Sequence, residues 1–170
     1  IVHAFRIPPH IGIIVDQHYY SLSIKGPELN VPLAAFIRNT MLRKIPCLFI
    51  KIKTSPLYDA AQQKTCIIDC VKHFPKVAVG VATCLSPVKL YFEKIYDLNL
   101  QDVHSIFELL PHLEAKGLII ETSSLFIEGP RFQLPTYSIE EINKGISQAE
   151  QEAKAISSAI IKSAGKSINA

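Results

Sequence analysis

Two prolines precede a histidine that opens an apolar run, "PPHIGIIV" at 8–15. This puts His10 where a general base can sit, at the entry of a β-strand, although an ordinary polar strand cap would have the same position. The thiols available as nucleophiles are Cys47, Cys66, Cys70 and Cys84, confined to 47–84. They are too sparse for the disulfide framework of a small secreted scaffold, so reduced cysteines are expected, and with them an intracellular setting. Cys66, Cys70 and His73, at i, i+4 and i+7, would share a helix face and could hold zinc. A structural zinc site, however, pairs two short ligand clusters, and a second cluster is missing. No metal and no cofactor is expected.

The 170 residues are 48% hydrophobic and 19% charged, enough apolar mass for one core with a small appendage. Eighteen basic residues against 15 acidic ones give a formal charge of +3, which is too balanced to call for a nucleic-acid partner. Apolar runs such as "KVAVGVATCLSPV" fall short of the ~20 residues that span a bilayer, and no signal segment opens the chain, so it is not expected to be transmembrane. A start at Ile1 rather than Met fits a processed product or a portion of something longer.

The elements that must position His10 and a thiol read as follows. "HIGIIV" and "HYYSLSIK" are β-type runs separated by Asp16-Gln17, which predicts a hairpin ending at Gly26-Pro27. "VPLAAFIRNTMLRK" predicts a short amphipathic helix with proline in its first turn, and "IPCLFIKIK" a third strand. "YDAAQQKTCIIDCVKHF" predicts a helix stopped by Pro75. "VAVGVATCL" fits either strand or loop. Ser86-Pro87 predicts the N-cap and first residue of another helix. A helix stopped at Gly117 follows, then two β-runs turned at Glu128-Gly129-Pro130. This helix-plus-hairpin order also occurs in winged-helix DNA-binding modules, but the hairpin offers Arg131 among glutamates, and the helix before it is acidic, which argues against a phosphate-facing surface.

Ser138 and Glu141 form a capping-box pattern at the start of a long C-terminal helix. Ile139, Ile142, Ile146, Ala149, Ala153, Ile156 and Ile160 make a narrow seam along it, which either docks on its own domain or pairs with a partner helix. The division expected is an α+β domain over 1–134 and a helical extension over 135–170.

The succession "HIGIIVD", "YYSLSIKG", "PELNVPLAAFI", "PCLFIKIK", "TCIIDCV" and "LSPVKLY" resembles circularly permuted papain-like proteins of the NlpC superfamily. The lecithin:retinol acyltransferase-like proteins share its order of histidine before cysteine. The resemblance covers roughly residues 8 to 92. It implies an α+β fold, a permuted papain-like domain with a small antiparallel sheet packed on helices. It also implies a thiol hydrolase or acyltransferase that acts on a peptide, lipid or peptidoglycan-like amide or ester. Cys66 would be the nucleophile near a helix start, His10 its base and Ser21 the third residue. The alternative is a noncatalytic binding or structural domain of the same fold that uses the C-terminal helix for partner contact.

Overall fold

A computed structural model describes residues 1–128 and 135–166. It is a mixed α+β structure with two small antiparallel sheets. The first sheet has the order β1 (Gly12–Val15), β2 (His18–Ser23), β3 (Gly26–Pro32). Asp16 and Gln17 join β1 to β2 with φ of 46° and 59°, the two left-handed residues that let a two-residue turn match the strand twist. The expected hairpin therefore forms, with Val15 opposite His18 and Gly12 opposite Ser21. Gly26-Pro27 does not end the sheet as the sequence suggested. It opens β3, in which Glu28 stands opposite Ser21.

Helix α1 (Leu33–Leu42) follows, with Pro32 as its N-cap rather than inside its first turn. The second sheet pairs β4 (Cys47–Ile52) with β5 (Ile119–Leu125), so the run after Gly117 joins a strand from much earlier in the chain. The turn expected at Glu128-Gly129-Pro130 and the β-run after it reach outside the described residues, as does Arg131. Two sheets thus replace the one small sheet expected. Val2 connects them by bridging antiparallel to His10 on one side and to Cys47 on the other.

Between β4 and β5 in sequence lie α2 (Ala60–Lys72), α3 (Ser86–Tyr96) and α4 (Ile106–Ala115). Asp59 and Gln62 form a reciprocal capping box that fixes the start of α2 at Ala60, and Ser105 with Glu108 does the same for α4. "VAVGVATCL" is a loop closed by a bridge between Ala78 and Ala82. Helix α3 supplies Val88, Tyr91, Phe92 and Ile95 to the main core, where they meet Ile11 and Val15 of β1, Tyr20 and Leu22 of β2, and Ile67 and Val71 of α2. Tyr91 Oη donates to Gln63 Oε1 at 2.9 Å, and Gln63 Nε2 donates to the Tyr58 carbonyl at 2.9 Å, so this core contains a satisfied polar chain. A smaller cluster, built on Val2, Tyr19 and Cys47 with Phe36 of α1, covers the opposite face of the first sheet. Among the described residues no helix is long and apolar enough to cross a membrane.

The capping box read from Ser138 and Glu141 is present, with Glu141 N–H donating to Ser138 Oγ and Ser138 N–H to Glu141 Oε2. It starts α5 (Ile139–Lys166). Ile142 and Ile146 are buried in the main core, whereas Ile156 is 62% exposed, so the first turns dock in cis. Gly145 lets this helix approach closely: a Cβ there would lie 2.7 Å from Pro8 Cδ. Ile146→Ala is expected to lower the unfolding free energy by about 2–4 kcal/mol. Ile156→Ala should change it by less than about 0.5 kcal/mol. Urea denaturation of the two variants checks the difference.

Candidate functional site

His10 stands two residues ahead of β1 with its backbone locked to Val2, donating N–H to the Val2 carbonyl at 2.9 Å and accepting from Val2 N–H at 2.7 Å. Alternation along β1 puts His10 on the same face as Gly12. The glycine of the "H-x-G" pattern has a steric reason, because a Cβ at Gly12 would lie 2.5 Å from Tyr19 Cε2, inside the ring that covers it. Burial pushes the His10 imidazole below its usual pKa, and the carboxylate of Glu28 acts in the opposite sense. At neutral pH the ring is therefore uncharged and able to accept a proton.

Ser21 is buried, and it donates to Glu28 Oε2 at 2.6 Å. The hydroxyl expected to be the third residue thus reaches a carboxylate one strand further on. Glu28 is the acidic group acting on His10, and the sequence reading passed over it because β3 itself was not anticipated.

Cys84 touches the chain beside His10. Its Sγ donates to the carbonyl of Pro9, the residue before His10, at 3.7 Å, and the N–H of Ile11, the residue after it, points at the sulfur. The backbone N–H groups of Cys84 and Leu85 do the same. Burial nevertheless outweighs these donors, and the thiol is held above its ordinary pKa. The local fold follows from "TCLSP". Ser86 is the first helical residue of α3, with Leu85 as N-cap, so the expected N-cap is displaced by one position. Ser86 Oγ instead accepts from Thr83 N–H at 3.0 Å, and Thr83 Oγ1 accepts from Leu85 N–H at 3.2 Å. These bonds wrap the chain around Cys84 directly in front of the helix.

Cys66 is placed differently. The Asp59 capping box starts α2 six residues earlier, so Cys66 lies almost two turns in, beyond the reach of the N-terminal field. Its sulfur is 3.9 Å from that of Cys70. Burial raises its pKa, and the groups that modulate it are Cys70, Lys94 and Asp69, a set distinct from the surroundings of His10. The low thiolate pKa expected at a helix start is thus replaced by an elevated one. Cys70 is pushed up to about 12, first by burial. His73 is the C-cap of α2 and packs edge-on against Phe74. Among the described residues no group of three or more His, Cys, Asp or Glu could hold a metal ion.

Comparison of the chain with family models, with curated proteins and with solved structures finds no match. The functional reading therefore rests on the residues and their geometry. The sequence signal for Cys84 is its place directly ahead of the Ser86-Pro87 helix start.

The depressed His10 pKa gives a stability signature. A group whose native pKa lies below its unfolded value contributes stability that is present above about pH 6.5 and is lost as pH falls toward the native pKa. His3, also depressed by burial, adds to the same acid limb. His10→Gln should therefore lose stability less steeply than the parent below pH 6.5 and run parallel to it above. Urea midpoints between pH 5 and 7.5 test this; equal acid slopes would show that His10 is not held neutral.

Proposed function

We propose that the chain is a thiol hydrolase or acyltransferase acting on an amide or ester, with Cys84 rather than Cys66 as nucleophile. One observation carries this reading: the Cys84 sulfur rests on the backbone either side of His10, in front of α3. The neutral imidazole of His10 takes the thiol proton, and the sulfur attacks the substrate carbonyl. The resulting oxyanion meets the backbone N–H groups of Ile11 and Cys84, which lie at the sulfur. Collapse forms the thioester and breaks the bond to the amine or alcohol, which leaves with the proton from His10. Water or an acceptor alcohol or amine then releases the acyl group, and the thiol is restored. Glu28, held by Ser21, stabilises the imidazolium formed on the way. Substrates of this kind include peptides, lipids and peptidoglycan-like amides or esters.

The competing reading, a noncatalytic domain that meets a partner through α5, is favoured by the exposure of Ile156 beyond the docked turns. A p-nitrophenyl butyrate assay separates the two. The catalytic reading expects a nitrophenol burst and a butyryl adduct on the Cys84 peptide by mass spectrometry. Cys84→Ala should remove both, His10→Ala should slow the burst by about 10²–10⁴-fold, and Cys66→Ala should leave it unchanged. A burst that survives Cys84→Ala, or that disappears with Cys66→Ala, rejects the assignment, and a parent chain with no burst leaves the noncatalytic reading.

A further inference from the structure

A cavity of about 600 Å³ lies between the two sheets, lined along its length by one edge of β1 and one edge of β4. Its geometry follows from the Val2 bridge. Val2 is antiparallel to both His10 and Cys47, so β1 and β4 run parallel to each other, two strand spacings or about 9–10 Å apart at that point. Residues 1–4 fill this gap at one end. Val2 exchanges both backbone bonds with His10, Ile1 does the same with Leu48, and Ala4 N–H donates to the Pro46 carbonyl. Beyond Ile1 the gap continues and becomes the cavity.

The register of the two sheets aims specific backbone groups into it. His10 faces Val2, so Gly12 and Ile14, two and four residues on, present their N–H and C=O groups to the same side. Leu48 faces Ile1, so Ile50 and Ile52 present theirs from the opposite edge. The two edges therefore offer alternating partners to a strand that extends the line of Ile1 and Val2 backwards. The residue immediately before Ile1 would face Gly12, and the next would face Ile50. The two residues beyond those would face Ile14 and then Ile52. Four extended residues, about 13 Å, reach every one of these groups.

We propose that this cavity is the seat of a further β-strand, a polypeptide segment joined to the nitrogen of Ile1 and antiparallel to both edges. Filled in this way, the two sheets become one six-stranded antiparallel sheet. The side chains on either side define the occupant's character. Its residues alternate between the main core, at Val88, Tyr91 and Leu109, and the second cluster, at Tyr19, Phe36 and Phe49. Apolar and β-branched residues suit both. An acyl chain would fill the same apolar space but could not bond the edge amides and carbonyls, which makes a strand the better match. The inference is independent of the thiol chemistry, because His10, Ser21, Glu28 and Cys84 do not line the cavity.

The test is amide hydrogen exchange on the 170-residue chain, with and without Val-Thr-Val-Thr fused ahead of Ile1. The fusion should slow exchange at Gly12, Ile14, Ile50 and Ile52 by at least about tenfold, as new buried bonds of ordinary strength imply, and should raise the melting temperature. A Val-Pro-Val-Pro fusion, which lacks the N–H groups that would face β1, should do neither. Unchanged exchange in the first fusion, or equal protection by the proline fusion or by added decanoate, overturns the proposal. Protection of the unfused chain that grows with its concentration also overturns it, by assigning the edges to a second copy.

Discussion

The double bridge of Val2 is the constraint on which the rest depends. One residue exchanges bonds with His10 and also bridges Cys47, so the two sheets share a seam although β1 and β4 never pair directly. The bridge fixes the entry of β1, and so where the His10 ring can go. It also brings Tyr19 and Cys47 into one small cluster with Val2, on the face away from α3. Ile1 and Ile11 turn the other way, into the main core, and alternation about this seam sorts the side chains between the two clusters.

The chemistry at the seam is a balance between burial and backbone donors. Three N–H groups face the Cys84 sulfur and would favour a thiolate, but the site is buried enough that the protonated thiol prevails. Burial acts on His10 in the complementary direction, toward the uncharged ring. The thiol of Cys84 and the imidazole of His10 are therefore both held uncharged. An uncharged imidazole keeps a lone pair open to a proton, and Glu28 sets an opposite charge near the ring. The same balance elsewhere marks Cys66 and Cys70 as a packed pair, since their sulfurs face each other and Tyr91 rather than a row of free N–H groups.

The local signals in the sequence were legible where they were chemical. The Asp16-Gln17 turn and the Ser138–Glu141 capping box each have a local reason that operates over a few residues, whereas Ser86, read as an N-cap, is the first helical residue of α3. Register and pairing were not legible, because they are settled by distant strands. The pairing of β5 with β4 spans some seventy residues, and β3, which lacks the alternation of a half-buried strand, forms because β2 offers it an edge. The expectation of a lowered pKa at Cys66 met the same limit. Cys66 looked close to a helix start only until Asp59 and Gln62 were seen to set that start at Ala60, and Glu28 was invisible without β3.

The C-terminal helix can be understood from this seam as well. Ile142 and Ile146 anchor its first turns in the main core, and between them Gly145 brings the helix against the Ile7-Pro8 segment, close enough that no Cβ fits. The next residue, Pro9, is fully buried, and its carbonyl receives the Cys84 thiol. A helix that presses on Pro8 therefore backs the short stretch from which both the thiol contact and the His10 ring are presented. Proline at 8 and 9 suits this role, since its restricted φ leaves the backbone few ways to yield. The long amphipathic helix, read from sequence as an appendage, is thus packed directly behind the residues that could do chemistry.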